Sequence, residues 1–323
     1  MTLNQLRTFL AVAETGSVRA AAQDLVVTQA AVSASLAALQ KSLGVALLEP
    51  DGRGLRLTPA GLAYAGYVRR VLGLLDEAGR AAAAAADPER GELRIAAVTT
   101  AAEQILPGLL SGFRTRYPRL GVRLEAGNRD RVRGLLDRHQ VDLVLGGRPE
   151  PGWDVQVLAV RAHQLVVVAA PGLAATAGAE AIAGAEADGP GRAGLVPWLA
   201  RQAWLLREPG SGTRAATDAL LTELDIAPLT LMVGSNGAIR ESATVGLGVT
   251  LISREAVGAE LADGRLVALP VPGTPMHRDW YLVAQAGPPG SLAPPAGRLV
   301  AHVLAHGGFH PAGSISAVRD PHS

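Results

Sequence analysis

The glycines between residues 209 and 216 have the spacing in this chain that best fits cofactor chemistry. Gly210, Gly212 and Ala215 follow a predicted strand and open a predicted helix. In dinucleotide-binding folds such a turn places backbone N–H groups against a pyrophosphate. The acidic residue that should bind a ribose about 20 positions later is missing, because Gly234-Ser235-Asn236 stands there. An NAD-linked oxidoreductase is therefore our second interpretation of the chain.

Other patterns of catalytic or metal-binding residues are incomplete. The chain has no cysteine, which excludes disulfides, thiolate catalysis and cysteine-ligated metals. It has no Gly-x-Ser-x-Gly elbow and no phosphate loop that ends in Gly-Lys-Ser/Thr. His302 and His306 share a helix face with His310 close behind, a conceivable metal site, but we interpret them as exposed histidines on a C-terminal helix. The sequence therefore predicts a protein that is not an enzyme and has no cofactor or metal.

From Glu92 onward, strands alternate with helices, a pattern typical of an α/β domain with mainly parallel sheets. The pattern forms two similar halves, in which polar loops follow the strands. Ligands bind at the carboxyl ends of strands in such sheets, because free amides of helix N-termini point into the crevice there. The predicted strands are Leu93 to Val98, Val122 to Glu125, Val141 to Leu145, Leu165 to Ala169, Ala203 to Leu206, Thr230 to Val233, Val249 to Ile252 and Leu266 to Leu269.

Hydroxyl, amide and charged side chains occupy the loops after these strands. Thr99 and Thr100 also fit plain helix caps, but the convergence of several polar loops favours a ligand site. Arg148 and Arg207 suggest an anionic ligand, with surface ion pairing as the alternative. The residues of these loops that we select as candidates are Thr99, Thr100, Asn128, Arg148, Arg207, Glu208, Ser211 and Asn236.

Residues 1 to 58 predict three short amphipathic helices followed by a Gly-rich hairpin. Ser17 and Thr28 precede the second and third helices, where N-cap residues belong. Two short helices joined by a tight connection make a helix-turn-helix. The third helix turns Ala30, Ser33, Ala34, Ala37 and Lys41 away from its apolar stripe, with Gln29 on the flank near its N-terminus.

The sequence of this region resembles the LysR-type transcriptional regulators. The resemblance rests on motifs from Leu6-Arg7-Thr8-Phe9 through Thr28-Gln29-Ala30-Ala31-Val32-Ser33 and Gly52-Arg53-Gly54 to Leu57-Thr58-Pro59-Ala60-Gly61. It extends over about 300 residues, in the order of a winged DNA-binding domain (residues 1–58, called the reader below, with the hairpin as its wing), a linker helix and a two-lobed effector domain. Later segments, such as Arg207-Glu208-Pro209-Gly210-Ser211 and Arg278-Asp279-Trp280, resemble the branch that regulates carbon-fixation genes, whose members respond to phosphorylated or nucleotide metabolites.

The resemblance implies that the helix-turn-helix binds double-stranded DNA. Family members usually carry a proline and an arginine where this chain has Ala30 and Ala34. Alanine offers only apolar contact to a thymine methyl, whereas arginine reads guanine, so we expect Gln29, Ser33 and Arg53 to carry more of the base readout. The expected DNA-binding residues are Ser17, Arg19, Thr28, Gln29, Ala30, Ser33, Ala34, Lys41, Arg53 and Thr58.

The resemblance also implies the fold class and the partners. The expected fold is α/β, with an N-terminal all-α winged helix-turn-helix and two Rossmann-like lobes that resemble periplasmic binding proteins. A small, anionic effector would bind between the lobes, and RNA polymerase would be a further partner. A small-molecule carrier or sensor without DNA binding is a third interpretation, but it leaves the capped helices and the hairpin unused.

The charge of the chain is nearly balanced, at a net +1. Affinity for DNA rises with the number of phosphates that are neutralised, so a weakly charged reader needs two or more copies on one site. We therefore expect a homodimer or homotetramer. We predict no membrane span, because no uninterrupted apolar run is long enough for one, and we do not interpret the N-terminal residues as an export signal. We therefore expect a cytoplasmic protein.

The domain boundaries follow from helix caps and breaks. We predict a winged helix-turn-helix over residues 1–58, a linker and dimerisation helix over 59–88, a two-lobed effector domain over 89–306 and a flexible tail over 307–323. The Ala/Gly-rich stretch between Pro171 and Pro197 is interpreted as a flexible insertion.

Overall fold

The computed structural model describes residues 1–52, 54–87, 89–177, 191–287 and 292–312. The chain divides into two compact units, Met1–Ala83 with Asp137–Gln140, and Ala84–Leu136 with Val141–Ser323. In the described residues no single helix is long and apolar enough to cross a membrane. The second and third helices pass that test of length and composition only as a pair, which is bent by 108°.

The first unit begins with the predicted helix-turn-helix and hairpin. Its elements are α1 (Leu3–Thr15), α2 (Val18–Asp24), α3 (Gln29–Leu43), the antiparallel strands β1 (Leu48–Asp51) and β2 (Gly54–Leu57), and the start of α4 (Pro59–Ala86).

Side-chain caps begin the helices of the first unit as predicted. The hydroxyls of Ser17 and Thr28 accept hydrogen bonds from Ala20 N and Ala31 N. Gly16 and Gly44 end α1 and α3 in the left-handed conformation, which favours glycine. Phe9, Val12, Leu36, Leu39 and Leu47 form the core, together with Ala65 and Val68 of α4.

The hairpin is held to the helices by two polar contacts. Leu55 N donates to Gly16 O over 2.8 Å, which joins β2 to the turn between α1 and α2. The amide oxygen of Gln40 accepts hydrogen bonds from Leu47 N and Leu48 N at the start of the hairpin. The wing therefore has a defined place beside α3.

The second unit contains two α/β lobes. The strands of lobe 1 are β3 (Gly91–Val98), β4 (Leu120–Gly127), β5 (Leu143–Gly146), β6 (Val155–Arg161), β13 (Trp280–Gln285) and β14 (His310–Pro311). They form one six-stranded sheet in the order β14-β6-β13-β5-β3-β4, and apolar clusters cover both of its faces. The helices of lobe 1 are α5 (Thr99–Gln104), α6 (Leu106–Arg116), α7 (Arg129–Asp137) and α13 (Pro294–His306).

The strands of lobe 2 are β7 (Gln164–Ala169), β8 (Trp204–Leu206), β9 (Thr230–Met232), β10 (Thr250–Ser253), β11 (Val267–Leu269) and β12 (Met276–His277). β7 is central and pairs with β10, β11 and β12. β8 and β9 form a parallel pair, and a bridge between Trp204 and Val249 joins this pair to the chain just before β10. The helices of lobe 2 are α8 (Pro171–Ala174), α9 (Gly191–Leu199), α10 (Gly212–Glu223), α11 (Asn236–Thr244) and α12 (Gly258–Ala262), with 3-10 turns at Ala175–Ala177 and Arg254–Val257.

Three expectations about these lobes are wrong. The sheets are mixed, not mainly parallel, because β13 and β14 run antiparallel to β6 and β7 pairs antiparallel with its three partners. We also predicted a flexible tail from residue 307, but at its start Phe309 is buried and His310 pairs with Val160 of β6. The third concerned His302, which is buried and not exposed on its helix. Residues 178–190 and 313–323, where we expected most of the insertion and of the tail, lie outside the described residues.

Two chain segments connect the lobes. Ala162 and His163 lead from β6 of lobe 1 into β7 of lobe 2, and Arg278 and Asp279 lead from β12 back to β13. Arg278 N donates to His163 O over 2.8 Å, so the two segments run side by side. Lobe 1 therefore consists of two separated parts of the chain, which the expectation of two successive halves did not include.

Candidate functional site

The first unit presents an exposed polar and small-residue face on α3. Val32, Leu36 and Leu39 of this helix are buried in the core. The predicted contact residues lie on the opposite side and are exposed: Gln29, Ala30, Ser33, Ala34 and Lys41. One side of α3 is thus packed in the core, and the opposite side is open to a partner.

The hydroxyl groups of the three predicted DNA-binding residues Ser17, Thr28 and Thr58 are engaged in helix caps. Thr58 donates to Ala46 O over 2.8 Å and accepts a hydrogen bond from Gly61 N over 2.9 Å. Ser17 and Thr28 accept from backbone amides, as described above, and Arg19 is exposed on α2. A capping hydroxyl accepts a hydrogen bond from one of the free backbone amides at a helix N-terminus. The amides that remain free there can bind phosphate. Arg53, another predicted DNA-binding residue, lies outside the described residues.

The second unit holds a cavity of about 430 Å³ between its two lobes. Loops at the carboxyl ends of β3, β4 and β5 line it from lobe 1, and the first turn of α10 lines it from lobe 2. A cavity of this size suits a small molecule. The predicted residues that line it are Thr99, Thr100, Asn128, Arg148, Arg207 and Ser211.

The two other predicted residues, Glu208 and Asn236, belong to a buried polar chain behind this lining. Asn236 Nδ2 donates to Thr100 Oγ1 over 2.8 Å, a contact between the two lobes. Arg207 donates to Asn236 Oδ1 and, through Nε and Nη2, to both carboxylate oxygens of Glu208 at 2.7 and 2.8 Å. Thr100, Arg207 and Asn236 are each more than nine-tenths buried. Buried groups of this kind must be paired, and the chain satisfies that requirement.

The charge of Arg207 is therefore compensated within the protein. The hydrogen bond from Arg207 outweighs the opposing effect of burial, so the pKa of Glu208 lies below its ordinary value and the carboxylate stays ionised. The two-pronged contact uses the guanidinium face that an anion would otherwise bind. Arg148 also has a partner in the cavity, since its Nε donates to Tyr281 Oη over 3.2 Å.

Arg278 is a cation of the cavity that we did not select from the sequence. In the described part of the chain no carboxylate pairs with its side chain. Arg278 is exposed to solvent. Desolvation by the surrounding protein, and then the nearby charge of Arg129, lower the pKa of its guanidinium, but an arginine stays protonated at neutral pH. The same lining includes His163, Trp280 and Tyr281. We did not select these three residues from the sequence, because we predicted neither β6 nor β13. His163 follows the end of β6, and Trp280 and Tyr281 begin β13.

Two of the histidines considered as metal ligands lie against each other on α13. His302 and His306 have ring centroids 5.0 Å apart, and His302 packs edge-on against Phe113. Burial, followed by the charge of His306, lowers the pKa of His302. No group of three or more metal-binding side chains occurs within the described ranges.

Comparisons with known proteins match both units. The family "Bacterial regulatory helix-turn-helix protein, lysR family" covers residues 3–62, and the family "LysR substrate binding domain" covers residues 86–307. The chain is 36% identical over 311 residues to the "HTH-type transcriptional regulator CbbR" of Rhodospirillum rubrum, which covers 94% of this chain and 96% of that one. It is 35% identical over 287 residues to the "RuBisCO operon transcriptional regulator" of Acidithiobacillus ferrooxidans, covering 88% of each.

A solved structure supports the same fold. Full-length CbnR complexed with its target DNA matches with a TM-score of 0.65 and 23% identity, over 94% of this chain and 99% of that one.

Proposed function

Because the chain belongs to the LysR family, whose members are DNA-binding transcriptional regulators with an effector-binding domain, we propose that it controls carbon-fixation genes in response to a small anionic effector. The name of one relative, a RuBisCO operon regulator that is 35% identical, supports this target. The relatives are named as transcriptional regulators, and we assign no catalytic residue.

In this proposal α3 enters the major groove of double-stranded DNA. Gln29 and Ser33 reach base edges from the exposed face, while Ala30 and Ala34 contribute apolar contacts. The free amides that Ser17, Thr28 and Thr58 leave at their helix starts hold phosphates, assisted by Arg19, Lys41 and Arg53. The protein acts where the DNA is, in the cytoplasm.

The side chain of Arg278, which has no carboxylate partner among the described residues, supports the proposal of an anionic effector. It lies in a cavity that already contains the N-terminus of α10, which attracts negative charge. Arg207, by contrast, is neutralised by Glu208. An effector with one negative group therefore gains most by binding between Arg278 and the first turn of α10, with Thr99, Thr100 and Asn128 as hydrogen-bonding partners.

Regulation follows from a shift between two populations of the assembled protein. An effector that contacts both lobes favours the arrangement in which the lobes are closed around it. Closure of the lobes changes the contacts between the subunits of a homodimer or homotetramer. The spacing of the helix-turn-helix domains on DNA changes as a result, and with it their contact with RNA polymerase. The size of the response is limited by how differently the effector binds the two arrangements.

The test is a footprint on the DNA upstream of this protein's own gene, repeated at several salt concentrations. We expect a pair of protected half-sites whose occupancy falls steeply with salt. Gln29→Ala and Ser33→Ala should each weaken the preference for this DNA by about tenfold. The matched control is Ser42→Ala on the same helix, since the Ser42 hydroxyl only bonds to Leu39 O. Equal protection of unrelated duplex DNA would contradict the proposal.

The effector arm of the test uses phosphorylated metabolites, with inorganic phosphate as the minimal anion. We expect a changed footprint with wild type and none with Arg278→Met, while Arg201→Met, an exposed arginine of lobe 2 away from the cavity, responds as wild type does. A response that survives Arg278→Met would place the anion elsewhere. Tight binding of NAD without retention of DNA would favour the oxidoreductase interpretation instead.

A further inference from the structure

A carboxylate of lobe 2 lies close to three side chains at the ends of the segments that connect the lobes. Glu255, in the 3-10 turn Arg254–Val257 after β10, lies 2.8 Å from Nη2 of Arg161, the last residue of β6 in lobe 1. Trp280 Nε1, at the start of β13, donates to its Oε2 over 3.4 Å. His163 Nδ1 lies 3.3 Å from the same oxygen. One side chain of lobe 2 thus contacts the last residue of β6, the connecting residue His163 and the first residue of β13.

The cluster is partly removed from water, which strengthens these contacts. His163 is 6% exposed, and Glu255 keeps 31% of its side-chain surface accessible. Burial raises the pKa of Glu255, but the contact with His163 and the charge of Arg161 more than offset it, and the net pKa lies below the ordinary value. No acceptor is aligned for a full hydrogen bond on His163 Nδ1, so its contact with Glu255 is an ion-pair distance and not a close hydrogen bond.

His163 and Trp280 also face the cavity between the lobes. Their rings are stacked, with centroids 4.3 Å apart and planes inclined by 26°. Both line the interlobe cavity, and His163 also lines a second cavity on the side of Glu255. The imidazole therefore lies between the proposed effector position and the Glu255 carboxylate.

We propose that Glu255 is the positioning residue that sets the angle between the lobes, and that the His163–Trp280 stack transmits occupation of the cavity to it. Loss of the carboxylate charge frees Arg161 and Trp280 on lobe 1 from lobe 2, so the lobes sample a wider range of angles. The part played by the stack rests on the proposed function, because it requires an effector in the cavity. The part played by Glu255 does not.

The test measures the distance between the lobes without any ligand. The chain has no cysteine, so Asp154→Cys on lobe 1 and Thr222→Cys on lobe 2, both exposed, accept spin labels at defined places. Labelled chain is diluted into unlabelled chain, so that only distances within one copy contribute. We expect a narrow distance distribution in wild type and a broader one, with a second population, in Glu255→Gln.

Two further variants make this result decisive. Glu260→Gln is the matched control, because Glu260 is a buried glutamate of the same lobe that pairs with Arg240 and Arg265 and touches neither connecting segment. It should leave the distribution narrow. Arg161→Met removes the same contact from lobe 1 and should broaden the distribution as Glu255→Gln does, which keeps the test valid if one variant folds poorly. An unchanged distribution in Glu255→Gln and Arg161→Met, or equal broadening in Glu260→Gln, overturns the proposal.

The stack is tested with inorganic phosphate as the probe. Phosphate should shift the wild-type distribution, and His163→Gln should lose most of that shift even at phosphate concentrations that saturate the cavity. A full shift in His163→Gln would remove the stack from the proposal. Absence of any shift in wild type would contradict the anionic effector and the role of the stack, while the role of Glu255 is decided by the ligand-free measurement.

Discussion

Val26 is a residue whose backbone conformation opposes its side chain. It lies in the turn between α2 and α3 with a φ of 55°, and its side chain is 89% exposed. A β-branched residue in the left-handed region costs about 1–2 kcal/mol, and an exposed side chain returns little of it. We expect Val26→Asn to raise the free energy of unfolding of the reader by about 1 kcal/mol, since asparagine tolerates this region. Thermal unfolding of the full chain measures it.

The neighbouring Val27 supplies the control for this prediction. It is also exposed, at 48%, and is not among the residues with positive φ in the described ranges. Val27→Asn should therefore give no increase in stability. If both variants raised the unfolding temperature equally, polarity in the turn and not backbone strain would be the cause.

At the scale of elements, the start of α4 is packed against the wing with no space for a side chain. A Cβ on Gly61 would lie 1.9 Å from the carbonyl oxygen of Leu47. Gly61→Ala must therefore separate α4 from the hairpin, and we expect a loss of about 1–3 kcal/mol in the free energy of unfolding. Denaturation in urea, followed by circular dichroism, measures this loss.

Gly66 on the same helix is the matched control. A Cβ there would meet nothing within 4 Å. Alanine favours helix over glycine by up to about 1 kcal/mol, so Gly66→Ala should be neutral or stabilising. Opposite signs at two glycines five residues apart would be due to packing against the wing. A loss at both positions would indicate that α4 tolerates no added side chain at all.

At the scale of the whole molecule, the long helix leaves an apolar stripe exposed. Tyr67, Val71, Leu74 and Leu75 of α4 are between 45% and 68% exposed and lie at helical spacing. A stripe of this kind marks a contact with another helix, and our proposal of a homodimer assigns it to a second copy. Val71→Glu combined with Leu74→Glu should convert the dimer to monomer and weaken DNA occupancy, because one reader neutralises few phosphates.

Sedimentation measures this change, and Asp76→Lys is its control. Asp76 lies on α4 away from the stripe and is exposed, so the reversal of its charge should leave the assembly intact. A protein that stays dimeric with both glutamates on the stripe would place the dimer contact elsewhere.

The local features of the fold were predictable from the chain itself. The caps at Ser17, Thr28 and Thr58 form as expected, because capping involves side chains and amides only two or three residues apart. Strands such as β3 and β7 appear close to their predicted positions, because continuous apolar runs mark them. The loops that line the cavity were also predictable, since the ends of strands determine where they meet.

Tertiary structure alone decided how these parts are joined and charged. β13 pairs with β5, more than a hundred residues earlier, and no local pattern states such a register. The compensation of Arg207 depends on Asn236 as well as on its neighbour Glu208, and Thr100 meets Asn236 only because the chain returns between the lobes. The chain by itself thus determined which segments are helices, strands and polar loops, through interactions of short range. Which charges remain unpaired in the cavity, and which side chains control the connection between the lobes, depended on contacts between residues far apart in the chain.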